Sequence, residues 1–245
     1  MEDIFNSWLV EQPIAHKGLH DKNHPENSLS AFERAINAGY PIELDIQMIA
    51  DGTIVVFHDE SLSRLTDNDG YLKFLNKADL DLLTLSGSKE KIPTFEEALA
   101  FINGRVPVLI EIKNQGKVGD LEKKVIEILS SYKGQFAVQA FNPFVLEYFY
   151  KHAPSIPRGQ LAGYLNHMKL SFFKRFAMKR MVGNKISRPD FIAFEGKHLP
   201  NRFVKNLIIC GNIAHNKSTI PLANHKSEYF KLILPFFIRT PIKRI

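Results

Sequence analysis

Short apolar runs alternate with amphipathic stretches along most of this chain. Runs such as Ile42–Met48 and Val106–Ile112 are rich in β-branched and other apolar residues, which is typical of strands buried in a parallel sheet. Between such runs, segments like LSAFERAINAG (residues 29–39) repeat apolar side chains at helical spacing and end on glycine. This alternation of strand and helix predicts a parallel α/β fold.

In chain order, the pattern predicts six strand–helix units between Pro13 and Ile209. The predicted strands are 13–15, 42–48, 106–112, 135–140, 158–162 and 191–194, with an extra strand at 54–57 after a tight turn. The predicted helices are 29–39, 94–104, 120–132, 143–151, 167–182 and 200–209. The region 59–91 is polar and turn-rich, and a loop of this length is expected either to be functional or to carry small elements of its own.

Two carboxylates share one predicted strand. Glu43 and Asp45 are two residues apart, so both point to the same face of the sheet. Such a pair repels unless something neutralises it, and Glu111 at the end of another apolar run adds a third carboxylate. Surface salt bridges are the competing interpretation, but the apolar setting disfavours them. Oxygen-only ligands suit one Mg²⁺ or Ca²⁺ ion better than Zn²⁺.

Polar residues with proton-transfer or phosphate-binding chemistry also follow predicted strands. His16 and His58 each end an apolar run, and two histidines beside a metal can act as a general acid and base pair. Lys113 lies two residues after Glu111 and faces the same way. It could neutralise a phosphate oxygen or serve as the partner of Glu111 alone.

Several short motifs, in this order and spacing, resemble the glycerophosphodiester phosphodiesterase family. Between Ile14 and Gly70 they are HKG, PENS, ELD, ADG, VVFHD and LSRLTDNDG. The resemblance continues more thinly through EIK, QAFN and DFIAFEGKHLP, starting at Glu111, Gln139 and Asp190. It implies a TIM (β/α)₈-type barrel that hydrolyses glycerophosphodiesters with one divalent metal ion, and it assigns the acid and base roles to His16 and His58.

The resemblance also implies substrate-binding roles. Lys17 stands where the family usually has arginine, and lysine cannot grip phosphate with two parallel bonds. Glu26 and Asn27 would orient a ligand or His16, although a helix cap also explains Asn27. Phe141 resembles an aromatic residue that covers the glycerol, and core packing is its alternative.

The carboxyl-terminal part departs from the family pattern. We treat 1–245 as one barrel domain whose resemblance is clear over 13–209, followed by a divergent basic tail at 210–245. In that tail only Lys231–Ile238 has the apolar density of a strand. We therefore expect Gly211–Tyr229 to be irregular and mobile, and the barrel to be incomplete by at least one strand.

Composition and charge bear on the partners of the protein and on its location. The 245 residues suit one barrel, and the net charge of +6 comes mainly from the tail, where six basic residues face a single acid. A basic tail could touch anionic lipid or nucleic acid, but a solvated or irregular terminus is the favoured interpretation, and no nucleic-acid partner is expected. The segment 167–182 is basic and amphipathic, as an outer barrel helix or a peripheral membrane contact would be; the basic tail could also make such a contact. A single cysteine, with no secretion signal or membrane span, favours the cytoplasm.

These observations give one main functional hypothesis and two alternatives. The main one is a metal-dependent hydrolase of lipid and glycerol metabolism that releases glycerol 3-phosphate and an alcohol from glycerophosphodiesters. The first alternative is a phospholipase D-like enzyme on the same barrel, acting on lysophospholipid. The second is a catalytically inactive relative that binds lipid or polyanion, which the incomplete barrel would favour.

Overall fold

The computed structural model describes residues 8–114, 116–163, 176, 180–195 and 231–235. Its strands are β1 (Ala15–His16), β2 (Ile42–Met48), β3 (Ile54–Val56), β4 (Val108–Ile112), β5 (Phe136–Ala140), β6 (Arg158–Ala162), β7 (Phe191–Glu195) and β8 (Lys231–Pro235). Its helices are α1 (Trp8–Glu11), α2 (Leu29–Asn37), α3 (Lys77–Leu80), α4 (Phe95–Ile102), α5 (Asp120–Ser131), α6 (Pro143–His152) and α7 (Asn184–Ser187). Within these ranges, no helix is long and apolar enough to cross a bilayer.

One curled sheet organises the described residues. Its strand order is β1-β2-β4-β5-β6-β7-β8, and β3 pairs with β2 outside that path. The neighbours from β1 to β7 along this path are parallel, whereas β3 and β8 run antiparallel to their partners. This is the curled parallel sheet of a TIM-type barrel, incomplete at its carboxyl-terminal side within the described residues, and it confirms the predicted fold class.

Alternation along the strands separates two environments. On β2, Ile42, Leu44 and Ile46 belong to the main core together with residues of α2, α4, α5 and α6, so these helices cover the outer face. The intervening Glu43 and Asp45 point to the inner face and are also buried. The concave side of the sheet therefore carries the buried carboxylates of β2.

There are two smaller apolar clusters. One lies on the inner face of the sheet, and the other lies in the long region between β3 and α4. At the amino-terminal end of the strands, Leu9 of α1 packs with Leu109, Phe191 and other inner-face residues. The region between β3 and α4 has its own core, which includes Leu62, Leu72 and Leu85. It contains α3 and a 3₁₀ turn at Leu72–Phe74, so the expectation of small elements there is confirmed.

Most predicted elements are present, with shifts at their ends. Thr94 and Glu97 form the predicted capping box of α4. Residues 180–182, predicted to end a helix, form a turn instead, and the rest of that predicted helix lies outside the described residues except Phe176. The predicted helix 200–209 and the region 211–229 also lie outside them. The predicted strand in the tail is present as β8, but it runs antiparallel to β7.

Candidate active site

Parallel register aligns the predicted polar residues in two successive rows across the sheet. His16 is the register partner of Glu43, and Asp45 is the partner of Glu111. Glu111 is in turn paired with Gln139 on β5. Register partners in a parallel sheet point the same way, so two rows of polar side chains, one of His16 and Glu43 and one of Asp45, Glu111 and Gln139, cross the concave face close to the carboxyl ends of β1, β4 and β5. Barrel enzymes carry their active sites at this end.

The three carboxylates meet in the interior. Glu43, Asp45 and Glu111 each offer an oxygen, and these oxygens all lie within 4.8 Å of one another. The side chains are almost fully buried, with residue exposures of 1%, 1% and 3%. Buried like charges at this separation cost stability unless cations or hydrogen-bond donors compensate them.

Hydrogen bonds from neighbouring elements orient two of the carboxylates. The backbone N–H of Lys17 donates to Glu43 Oε2 over 3.1 Å, and Gln139 Nε2 donates to Glu43 Oε1 over 3.2 Å. Asn27 Nδ2 donates to Asp45 Oδ2 over 3.0 Å, and Asn27 Oδ1 accepts from the Asp45 backbone N–H over 3.3 Å. Asn27 is therefore an orienting group for Asp45, and Ser28, not Asn27, caps α2.

Lys113 supplies positive charge inside the cluster. Its Nζ lies 3.0 Å from Glu111 Oε1 and 3.4 Å from Asp45 Oδ1. Burial alone would lower the pKa of Lys113, but Glu111, Asp45 and Glu43 raise it well above its usual value. Burial would raise the pKa of Asp45, but Lys113, His58 and Lys17 together keep that pKa below its ordinary value. Both groups are therefore charged at neutral pH.

The cluster has the donor chemistry of a hard-cation site. Asp45 Oδ1 and Gln139 Oε1 are both buried and accept no hydrogen bond from the described residues. Carboxylate and amide oxygens are ligands that Mg²⁺ and Ca²⁺ favour. The acidic triad can thus hold a divalent cation: Asp45 Oδ1 makes no hydrogen bond and has the Lys113 ammonium at 3.4 Å, and Gln139, whose Oε1 makes none, donates to Glu43.

The two predicted histidines border the triad from different strands. His16 Nε2 lies 3.8 Å from Glu43 Oε2. His58 follows β3, and its Nδ1 lies 2.5 Å from Asp59 Oδ1. Gln47 Nε2 donates to the backbone carbonyls of Phe57 and Asp59, each over 2.9 Å, so the backbone on both sides of His58 is fixed to β2.

The loop after β1 is held in an unusual conformation. Lys17 has a φ of 58° and Gly18 a φ of 78°, and a Cβ on Gly18 would lie only 2.9 Å from the backbone of Ala31. The HKG motif therefore needs glycine at its third position. The turn directs Lys17 Nζ to Glu26 Oε1 at 2.8 Å, while the Lys17 backbone reaches Glu43.

Phe141 directly follows β5 and is half-buried against the inner-face apolar cluster. The predicted site residues thus lie on the inner face of β1, β2 and β4, shortly after β3, β4 or β5, or in the loop from β1 to α2.

Four residues around the site were not predicted from the sequence. They are Gln47, Asp59, Arg64 and Gln139, which orient His58 or Glu43 or connect the surrounding loops. Asp59 had a local signal, since it directly follows His58 in the VVFHD motif. Gln47 and Gln139 also had one, because each continues the inward-facing alternation of its strand. Arg64 acts across 38 positions, and nothing in its local sequence indicates that contact.

Comparisons with known proteins agree with this geometry. Residues 16–187 match the model of the glycerophosphoryl diester phosphodiesterase family. A glycerophosphodiester phosphodiesterase of Caldanaerobacter subterraneus subsp. tengcongensis is 36% identical over 160 residues, covering 60% of this chain and 65% of that protein. The corresponding enzyme of Bacillus altitudinis is 30% identical over 178 residues, covering 68% of this chain and 72% of that one.

A solved structure extends the similarity to the fold. The Oleispira antarctica phosphodiesterase, in complex with the product sn-glycerol-3-phosphate, aligns with a TM-score of 0.68 and 25% identity over 82% of each chain. The family match spans more than half of the sequence and includes the histidines and the carboxylate triad. The chain therefore belongs to the glycerophosphoryl diester phosphodiesterase family.

Proposed function

We propose that this protein is a metal-dependent glycerophosphodiester phosphodiesterase that releases glycerol 3-phosphate and a free alcohol. The observation that carries the proposal is the buried triad of Glu43, Asp45 and Glu111 beside Lys113, with His16 and His58 at its border. Family membership supports it, as does the glycerol-3-phosphate bound to the Oleispira antarctica relative.

Glu43, Asp45 and Glu111 would hold one Mg²⁺ or Ca²⁺ ion. When bound, the ion supplies Lewis-acid stabilisation of negative charge on the phosphoryl oxygens. Asp45 Oδ1 is buried, makes no hydrogen bond with the described residues and lies 3.4 Å from Lys113 Nζ, which supports this assignment. Asn27, Gln139 and the Lys17 backbone keep the carboxylates aimed inward, which reduces the reorganisation that metal binding requires.

The remaining side chains would bind the phosphate and move protons. Lys113 and Lys17 bring positive charge to the substrate phosphate, each as a point charge. One histidine removes a proton from the attacking nucleophile, and the other protonates the leaving alkoxide. Asp59 at Nδ1 leaves Nε2 of His58 as the nitrogen available for transfer. Phe141 would contribute an apolar wall to the glycerol site.

We also propose a substrate type, a cellular location and a membrane contact from the sequence. A small-molecule diester is the substrate we propose, and cytoplasmic location follows from the single cysteine. Peripheral membrane contact through 167–182 or the basic tail rests on charge and amphipathicity alone. Co-sedimentation with anionic vesicles would test it separately.

The direct experiment is to incubate the purified chain with glycerophosphocholine and glycerophosphoethanolamine in Mg²⁺, Ca²⁺ or EDTA. We expect metal-dependent release of glycerol 3-phosphate. Absence of that release with every glycerophosphodiester and metal would overturn the proposal. Release from lysophospholipid alone would favour the phospholipase D-like alternative, and binding of lipid without turnover would favour the inactive one.

Two variants separate metal binding from proton transfer. Asp45→Asn should abolish both activity and metal binding measured by calorimetry, because it removes the negative charge of a buried metal ligand. His58→Ala should keep most metal binding and lower kcat by roughly 10²–10⁴-fold, the usual contribution of a general acid or base. Equal loss of metal in both variants would contradict the role assigned to His58.

A further inference from the structure

Arg64 joins two loops that carry opposite parts of the site. Its Nη1 and Nη2 donate to Glu26 Oε2 and Oε1 over 2.9 and 2.8 Å, which is a bidentate pair. Its Nε and Nη2 also donate to Asp59 Oδ2 and Oδ1 over 2.5 and 3.0 Å. All three guanidinium nitrogens are thus engaged by two carboxylates, one after β1 and one after β3.

Each of these carboxylates holds a residue of the proposed reaction. Glu26 Oε1 accepts from Lys17 Nζ over 2.8 Å, and Asp59 Oδ1 lies 2.5 Å from His58 Nδ1. Together with Arg64, these four side chains form a continuous chain of contacts that begins at Lys17 and ends at His58. We call Lys17, Glu26, Arg64, Asp59 and His58 the inter-loop chain.

The guanidinium is half exposed, yet its partners are not. The side-chain exposure is 49% for Arg64 but 12% for Glu26 and 22% for Asp59. Although burial opposes it, hydrogen bonding to His58 and Arg64 lowers the pKa of Asp59 well below its usual value. Arginine suits this position because its planar fork can bind two carboxylates at once, which an ammonium group cannot do with the same geometry.

The backbone of Arg64 is anchored on a packed turn. The backbone N–H groups of Leu65 and Thr66 donate to the Leu62 carbonyl over 3.1 and 2.9 Å. Leu62 and Thr66 are each 3% exposed, and Thr66 Oγ1 donates to the carbonyls of Leu62 and Asn68. The backbone that carries Arg64, in the region between β3 and α4, is therefore held in place by packing and hydrogen bonds.

We propose that Arg64 is a positioning residue that fixes the orientation and tautomer of His58 through Asp59 and places Lys17 through Glu26. This inference rests on the proposed function, because it assigns a role within that reaction. With Asp59 oriented by Arg64, the proton of neutral His58 stays on Nδ1 and Nε2 faces the reaction. Without Arg64, Asp59 loses the partner that fixes its orientation, so the tautomer and orientation of His58 are no longer held in one form.

The first test is kinetic. Arg64→Ala should lower kcat by about ten- to a hundredfold, the usual effect of losing a group that orients a functional residue. It should also raise KM, because Glu26, and with it Lys17, is no longer anchored. Arg64→Lys should recover only part of kcat. Metal affinity measured by calorimetry should be unchanged, since Arg64 touches none of the triad. The control is Arg105→Ala, whose guanidinium contacts carbonyls at the end of α4, at the opposite end of the barrel.

A second test does not depend on activity. Long-range ¹H–¹⁵N spectra of ¹⁵N-histidine protein, assigned with His58→Gln, report which ring nitrogen carries the proton. We expect the Nδ1–H form in the wild type and in Arg105→Ala, and a mixture in Arg64→Ala and in Asp59→Asn.

The outcomes distinguish this inference from the proposed function. An inactive wild type that still shows an Arg64-dependent tautomer would overturn the proposed function but keep the positioning role. An active wild type whose Arg64→Ala variant retains both kcat and the tautomer would overturn the inference. A lower melting temperature alone, with kcat and tautomer intact, would show a structural role and also overturn it.

Discussion

At the scale of single residues, Lys113 is the group whose removal has two opposite effects. Its ammonium contacts Glu111 and Asp45 and so compensates the triad, yet it also repels any cation that the triad holds. Two unit charges about 4 Å apart interact by about 4 kcal/mol near a protein surface.

We predict that Lys113→Met destabilises the metal-free protein and tightens its metal binding. Breaking a buried pair from one side costs about 3–5 kcal/mol, whereas the lost repulsion should lower the metal Kd at least about tenfold. Thermal unfolding with and without Mg²⁺, together with calorimetry, measures both effects. The control is Lys123→Met, which removes an exposed lysine 3.9 Å from Glu127. Weaker metal binding in Lys113→Met would contradict the prediction.

At the scale of elements, the sequence predicted regular structure well where the local pattern decides it. The strands from β2 to β7 follow apolar runs, and the Thr94–Glu97 box marks the start of α4. It did not predict the short helices α1 and α7, which have too few residues for a periodic pattern. Nor could it predict the direction of β8, because an apolar run pairs equally well in either direction.

Likewise, some residues of the site could be predicted from the local sequence and others could not. The triad was predictable because alternation on β2 and β4 aims its members to one face. The contact between Arg64 and Glu26 was not, because it joins two loops through side chains alone. Asn27 was predicted as an orienting group or as a helix cap, and the structure shows it oriented toward Asp45.

The connection from β1 to α2 gives a prediction about backbone conformation. Gly18 and Gly39 both have positive φ, but only Gly18 leaves no room for a Cβ. Gly39→Ala should cost about 1–2 kcal/mol for the left-handed conformation, and Gly18→Ala should cost about 1–3 kcal/mol more for the overlap with Ala31. Chemical denaturation of both variants measures the difference. Equal costs would show that the loop relaxes around the added methyl group.

At the scale of the whole molecule, the charges around Glu26 make stability depend on pH. Burial would raise the pKa of Glu26, but Arg64 and Lys17 lower it from 4.5 to about 2; His20 also lies close enough to interact with it. A carboxyl group with a depressed pKa contributes stability that is fully present above its unfolded value. That contribution is lost as the pH falls from about 4.5 towards 2.

We therefore predict that Glu26→Gln flattens this acid limb of the stability profile. At neutral pH the variant should be less stable by on the order of 3 kcal/mol, because each unit of pKa shift corresponds to about 1.4 kcal/mol. Urea unfolding between pH 2 and pH 7 measures the profile, with Glu33→Gln, an exposed change on α2, as the control. A parallel profile for Glu26→Gln would show that other groups dominate acid unfolding.

The β2–β3 pairing has a consequence for the order in which the site forms during folding. Ile46 pairs with Val56, ten positions away, whereas Asp45 meets Glu111 only after the chain crosses from β2 to β4. Short loops close at a smaller entropic cost than long ones, and local contacts form faster. A refolding chain should thus bring His58 beside Asp45 before the third carboxylate arrives, so the ability to retain a metal ion is acquired late.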